Sequence, residues 1–251
     1  MAISFDLTGK NILVTGASSG IGRAIAIAAA EAGAFVVLVA RNEERLRETV
    51  VDCGEKCAIE LCDLSDLDKL PRFVMNLAKK YGAFSGLVHS AGIGDWRPLK
   101  MIRAANLLDA FTVNCASAIM LVKGLSAHGC FDEKGTSVVM ISSVAGGLGV
   151  PGQIAYGASK GGLETAVKCM ALELIPLRIR VNAVAPALIQ TPLLDDFEET
   201  GSQLSDAWQH KHPSGIGDVN DVAAAVLYLL SAASRYVVGT TLCVDGGYCA
   251  Q

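Results

Sequence analysis

Short apolar runs rich in β-branched residues alternate along the chain with longer stretches of helical period. Ile12–Thr15, Phe35–Ala40, Ala58–Cys62, Gly86–His89, Ser137–Ser142, Ile179–Ala183 and Thr241–Val244 predict strands. Most are apolar on both faces, as in parallel strands covered by helices on each side. Gly22–Ala32, Asn42–Val50, Asp66–Tyr81, Ala105–Ser126, Tyr156–Leu174 and Val219–Ser231 predict helices. Pro71 falls in the first turn of the third, where proline is tolerated, with Ser65 or Asp66 as its cap. This βαβ alternation predicts an α/β fold, a doubly wound open parallel sheet of about seven strands with helices on both faces. No linker, repeat or charge run divides residues 1–251, so one domain is expected. The one long irregular stretch, 192–220, is expected to be a substrate lid, with Leu193, Leu194, Phe197 and Trp208 as its apolar cover.

Composition narrows the function classes. Of 251 residues, 51% are hydrophobic and 18% charged, which excludes a disordered chain. A net charge of -4 offers no cationic surface to nucleic acid. The longest apolar runs, Ala34–Ala40, Ala24–Ala30 and Val222–Leu230, fall short of the roughly 20 residues that span a bilayer, so no membrane partner is expected. Met1–Lys10 has no apolar core and does not read as a signal peptide. The eight cysteines are scattered singly, and Cys53, Cys57 and Cys62 are spaced unlike a zinc site. They are expected to be reduced, mostly buried thiols of a cytoplasmic protein, with no metal. His210 and His212 read as a solvated loop.

Two segments carry chemistry. Strand Ile12–Thr15 runs into Gly16-Ala17-Ser18-Ser19-Gly20-Ile21-Gly22 and then into a helix. Glycines at such a turn let the backbone approach a diphosphate, and the helix N-terminus presents its N–H groups and positive dipole end to that anion. The second strand ends in Ala40-Arg41, where NAD-selective folds place a carboxylate. A guanidinium there pairs with a 2'-phosphate, which predicts NADP(H) over NAD(H).

Further along, Tyr156 and Lys160 stand four apart and project from one helix face. A neighbouring ammonium lowers the pKa of a phenol, normally near 10, and makes it a usable acid/base. Ser143 ends the fifth strand, at the carboxyl edge where open α/β sheets bind ligands, and can donate to a carbonyl oxygen.

With these pieces the chain resembles the short-chain dehydrogenase/reductase family over residues 5–249. The matching motifs are Gly16-x3-Gly20-Ile21-Gly22, Asp63-Leu64, His89-Ser90-Ala91-Gly92, Asn114, Ser143, Tyr156-x3-Lys160, Pro186 with Thr191, and Asp245-Gly246-Gly247. The resemblance implies a Rossmann-type sheet and hydride transfer between a nicotinamide and a carbonyl or secondary alcohol. Tyr156 would carry the proton, Lys160 would hold the nicotinamide ribose, Ser143 would position the carbonyl oxygen, and Asn114 would hold a relay water behind Lys160. It also implies Gly16, Ser18, Ser19, Gly20, Ile21 and Gly22 at the diphosphate and Asp63 and Leu64 near adenine. His89, Ala91 and Gly92 would lie along the adenosine, and Pro186, Ile189 and Thr191 at the nicotinamide. Arg41 matches the position used by NADP-preferring members.

The chain departs from the family pattern at His89-Ser90, where asparagines are usual, at Ala187, where glycine is usual, and at Ser19, where many NADP-preferring members are basic. Among subclasses it most resembles 3-oxoacyl-[acyl-carrier-protein] reductases, so an acyl-carrier-protein-bound substrate is one expectation, with Lys134, Arg178 and Arg180 as the basic patch. A small ketone, steroid or cyclic alcohol is the other. A non-catalytic NADP-binding sensor is the reading from another class, against which the intact Asn114, Ser143, Tyr156 and Lys160 argue. The resemblance further implies a homotetramer or homodimer, packed through helices 105–126 and 156–174 and the last strand.

Overall fold

The computed structural model describes residues 5–194 and 212–250. Seven parallel strands form one sheet in the order β3-β2-β1-β4-β5-β6-β7. They are β1 (Asn11–Thr15), β2 (Phe35–Ala40), β3 (Cys57–Leu61), β4 (Gly86–His89), β5 (Thr136–Ile141), β6 (Ile179–Pro186) and β7 (Thr241–Val244). The helices are α1 (Gly20–Glu31), α2 (Glu43–Cys53), α3 (Leu70–Tyr81), α4 (Ala104–Phe111), α5 (Ser117–Leu125), α6 (Ile154–Leu174) and α7 (Val219–Leu230). The doubly wound, Rossmann-type arrangement is the one the apolar pattern predicts.

Alternation along the strands divides the core into two layers. Leu13, Val37, Leu87, Val138 and Val181 face α3, α5 and α6. Ile12, Val14, Val36, Leu38, Val88 and Val139 face α1, α2 and α7. The five inner strands β1, β2, β4, β5 and β6 are therefore buried on both sides, which removes the solvent-facing polar stripe that an antiparallel sheet would show, while the edge strands β3 and β7 are only half-buried. Between β1 and β4 the strand order reverses, so the connections after them diverge and open a crevice at the carboxyl ends.

Three local expectations change. The predicted helix 105–126 is interrupted by a π-helical turn, Thr112–Ala116, between α4 and α5. The run Ala104–Leu125 is 22 residues long with hydropathy 1.5, enough by length and composition to cross a membrane, contrary to the expectation from the shorter apolar runs. Its inner face nevertheless belongs to the core, where Ala110, Cys115, Ala118, Leu121 and Leu125 are buried. The third helix begins as a 3-10 turn at Leu67–Lys69, and Asp66 makes no cap hydrogen bond; its carboxylate pairs with Lys69 instead.

The cysteines are less buried than expected. Cys53, Cys115 and Cys130 are buried, but Cys169, Cys243 and Cys249 are exposed, because they stand on the outer face of α6 and in the C-terminal segment. Most of the expected lid, residues 195–211 with Phe197, Trp208 and His210, lies outside the described residues. Its two ends meet: Gly217 N donates to Leu188 O and Gln190 N to Gly217 O, each at 3.0 Å. The expected loop ends early, since α7 starts at Val219 behind an Asp218 cap.

Candidate active site

A cavity of about 980 Å³ opens along the carboxyl ends of the strands. Gly16, Ser18, Ser19, Gly20, Ile21, Gly22, Arg41, Asp63, Leu64, Ala91, Gly92, Ser143, Tyr156, Lys160, Pro186, Ile189 and Thr191 all line it. Of the catalytic and cofactor residues expected from the sequence, Asn114 and His89 do not.

The floor is the turn from β1 to α1. Gly16 has φ 68, and a Cβ there would sit 2.7 Å from Ala91 N; one on Gly22 would sit 2.2 Å from Gly16 O. Only glycine lets the turn close against itself and against the β4 loop. Ser19, the N-cap of α1, makes no side-chain cap bond, so the first N–H groups of that helix are left to other acceptors. This cradle fits a dinucleotide diphosphate.

At the adenosine end, Arg41 and Arg45 both line the cavity, and neither forms an ion pair among the described residues. Arg45 was missed in the sequence, although it stands four residues after Arg41, in the first turn of α2. Hydrogen bonds from Ser65 hold the Asp63 carboxyl below its ordinary range, and the nearby Arg41 adds to this.

The side chains expected to carry the chemistry meet where β5 leaves the sheet. Ser143 follows β5 and caps the short turn Val144–Gly146, its Oγ accepting from Ala145 N at 3.2 Å. Helix α6 lies close against this turn, because added Cβ atoms at Gly157 and Gly161 would stand only 2.8 Å from Ala145 O and Gly146 O. That contact brings Tyr156 to Ser143. Burial pushes the Tyr156 phenol up from its usual pKa, and the Ser143 side chain opposes the shift. The expectation that Lys160 lowers it is not met here: the ammonium stands 5.7 Å from the ring centroid and is turned to donate to Ile141 O at 2.7 Å. Burial brings Lys160 itself down to about 8, against the influence of Cys115 and Glu164. Its other two N–H donors have no protein acceptor among the described residues, which fits them to a ligand's hydroxyls.

Asn114 sits fully buried in the π turn. Its Oδ1 accepts from Ile93 N at 2.8 Å, and its Nδ2 donates to Ile93 O at 3.0 Å and to Ser159 Oγ at 2.9 Å. Ser159, also missed in the sequence, donates in turn to Tyr156 O at 2.7 Å. A Cβ on Gly92 would lie 3.2 Å from Asn114 Oδ1 and 3.5 Å from Lys160 Nζ, so these two groups converge behind the cavity wall.

His89 does not reach the cofactor cavity, which corrects the expectation that it lies along the adenosine. It is fully buried, since β4 ends inside the core. Its Nδ1 meets Thr15 Oγ1 at 3.0 Å and its Nε2 meets Val113 O at 3.2 Å. A carbonyl only accepts, so Nε2 carries the proton and Nδ1 accepts from Thr15. Burial, helped by Lys160, lowers its pKa to about 3, and the ring is neutral.

The expected basic patch is also misplaced. Lys134, Arg178 and Arg180 precede or begin β5 and β6, at the amino edge of the sheet. That is about 20 Å, one strand length, from Ser143. Arg180 is further committed to the carbonyls of Val237 and Leu229.

The doubly wound sheet, the glycine cradle and the Ser143–Tyr156–Lys160 group define a nicotinamide-dinucleotide oxidoreductase. A family model described as "Enoyl-(Acyl carrier protein) reductase" matches residues 16–249. The chain is 34% identical over 250 residues to the tropinone reductase homolog At2g29170 of Arabidopsis thaliana, covering 97% of this chain and 91% of that one. It is 33% identical over 245 residues to the 3-oxoacyl-[acyl-carrier-protein] reductase FabG of Thermotoga maritima, covering 96% and 98%. A gluconate 5-dehydrogenase from Burkholderia cenocepacia J2315, solved with NADP and tartrate, superposes with TM-score 0.88 at 28% identity, covering 98% of each chain. The chain belongs to the short-chain dehydrogenase/reductase family, whose members bind a nicotinamide cofactor and act on small molecules.

Proposed function

We propose that this protein is an NADP(H)-dependent reductase of neutral ketones, interconverting a carbonyl and a secondary alcohol. The observation that carries the reading is Tyr156, its phenol kept protonated by burial beside Ser143 and facing the same cavity as the glycine cradle. The bound nicotinamide supplies or accepts the hydride. Ser143 holds the substrate oxygen, Tyr156 gives it a proton, and the two unfilled donors of Lys160 hold the nicotinamide ribose. Asn114, tied to Ile93 and Ser159, fixes the wall behind Lys160 and serves the proton path there.

NADP(H) is preferred because Arg41 and Arg45 together offer a 2'-phosphate two guanidinium groups. The NADP of the Burkholderia structure supports the same choice. At the substrate end Ile93, Trp96, Val150, Leu188, Leu193 and Leu194 line the cavity, which suits a small or cyclic ketone. The similarity to the Thermotoga reductase favours a 3-oxoacyl thioester as the second reading, although the basic residues expected for a carrier protein stand at the wrong edge of the sheet.

Self-association is part of the proposal, as a homodimer or homotetramer. Leu107, Leu108, Phe111 and Leu172 expose apolar surface on α4 and α6. The unpaired thiols suit a cytoplasmic location.

The test is oxidation of NADPH and NADH by purified protein with acetoacetyl-CoA beside simple and cyclic ketones. Faster turnover of ketones with NADPH is expected. Turnover of acetoacetyl-CoA alone would replace the substrate class, and cofactor binding without any turnover would leave the sensor.

A further inference from the structure

Outside the cavity, one group of metal-ligating side chains comes together among the described residues. It consists of Cys243 in β7, Asp245 just beyond it, and Cys249 four residues further on. Their Sγ and carboxylate oxygen atoms all lie within 4.8 Å of one another. The backbone is bent to achieve this. Gly246 and Gly247 both take positive φ, 57 and 88, and the 3-10 turn Tyr248–Ala250 returns the chain toward β7.

The carboxylate is fixed within that bend. Asp245 Oδ1 accepts from Gly247 N at 3.0 Å and Oδ2 from Cys249 N at 2.8 Å, and the carboxylate also accepts from the Cys249 thiol, whose proton a metal ion would displace. No cationic side chain pairs with Asp245 among the described residues. The local charge is negative. Burial raises both thiols, Asp245 raises them further, and Glu164 adds to the effect on Cys243.

We propose that Cys243, Asp245 and Cys249 form a binding site for a borderline-soft divalent cation such as Zn²⁺. Two thiolates and one carboxylate select such an ion over Mg²⁺ or Ca²⁺. In a tetrahedral site with Zn–S of about 2.3 Å the sulfurs stand roughly 3.8 Å apart, within small adjustments of the present arrangement. Binding replaces two S–H bonds by two metal–sulfur bonds and releases two protons to solvent, with water in the fourth position. The backbone N–H groups on Asp245 orient that ligand from outside, as supporting partners do in metal sites.

The position gives the ion a route to the active site. Tyr248, between Asp245 and Cys249, stacks on His212 with centroids 4.6 Å apart and planes at 19°, and both residues line the cavity. A bound ion therefore stiffens the turn that carries part of the cavity wall. The sequence spacing Cys-x-Asp-x3-Cys matches no common zinc signature, so only the glycine bend reveals the group.

The test is Cd²⁺ titration of the full, reduced chain, read by thiolate-to-metal absorption, with Zn²⁺ affinity measured by competition against a chromophoric chelator. One ion per chain is expected, bound at least about tenfold more weakly by Cys243→Ser and by Cys249→Ser. Cys169→Ser, which changes an exposed thiol on α6, is expected to bind as the parent does. Alkylation mapped by mass spectrometry gives a second readout on the unaltered chain: Zn²⁺ should shield Cys243 and Cys249 and leave the reactivity of the other thiols as it is without the ion. Absence of the absorption band, equal affinity in all three variants, or shielding of Cys53 and Cys57 instead would overturn the proposal.

Discussion

Lys160 Nζ donates to the Ile141 carbonyl at 2.7 Å, so the ammonium is tethered to the last residue of β5, two residues before Ser143. Strand and helix thus hold the proton donor and its supporting groups as one unit. Removing the phenolic hydroxyl from that unit leaves the cavity intact. Tyr156→Phe is expected to lower kcat by about 10²–10⁴ while NADPH binding, followed by fluorescence, changes little. A variant that keeps most of its turnover would remove Tyr156 from the proton step.

The same tether sets a pH dependence. Lys160 titrates near 8, whereas burial holds the Tyr156 proton to a pKa above its ordinary value. Raising the pH therefore neutralises the lysine first, and the hold on the ribose proposed for it would weaken before the tyrosine proton is lost. For ketone reduction, kcat/KM should fall through about pH 8 in the parent, and Lys160→Arg, which stays charged, should move that limb upward. An unmoved limb assigns the titration to another group.

The proposed preference for NADP(H) rests on the charge at the end of β2. Losing a charge-assisted hydrogen bond costs about 1.5–3 kcal/mol, roughly ten- to hundredfold in affinity. Arg41→Asp should reduce the NADPH-over-NADH ratio of kcat/KM by at least that much, and Arg45→Ala by less. Steady-state kinetics with both cofactors decides it, and an unchanged ratio excludes Arg41.

His89 predicts an acid-labile fold. The unfolded chain takes up the proton near an ordinary histidine pKa of about 6.5, while the folded one resists it down to about 3. Stability from this group is therefore complete above about pH 6.5 and is lost progressively as pH falls toward 3. The urea midpoint should drop less between pH 7 and 4 in His89→Asn than in the parent. His89→Leu, which leaves Thr15 and Val113 without their partner, should cost about 1–3 kcal/mol at pH 7.

Much of this was legible in the residues. The strands were visible because parallel strands buried on both faces are continuous apolar runs, as in Phe35–Ala40. Tyr156 and Lys160 were visible because helical spacing puts them on one face. The π turn was hidden, since Thr112–Ala116 carries no glycine or proline to mark a departure from helical hydrogen bonding. His89 was misread because a polar residue at a strand's carboxyl end reads as a ligand contact. Only the packing of Thr15 and Val113 around it shows it to be a brace. Arg178 and Arg180 were misread because a chain position does not say at which edge of the sheet a residue emerges until the strand's limits are known.

The π turn has one more consequence. An added residue rotates everything after it by about 100° relative to a regular helix. Before the turn, α4 buries only Ala110 and turns Leu107, Leu108 and Phe111 outward; after it, α5 buries six of its nine residues. The slip that aims Asn114 at Ile93 is thus also the one that leaves the α4 stripe available to another surface. Deleting a single residue at Thr112–Ala116 would undo both at once, so the placing of Asn114 and the outward turn of the α4 stripe are coupled through one backbone irregularity and cannot be altered independently there.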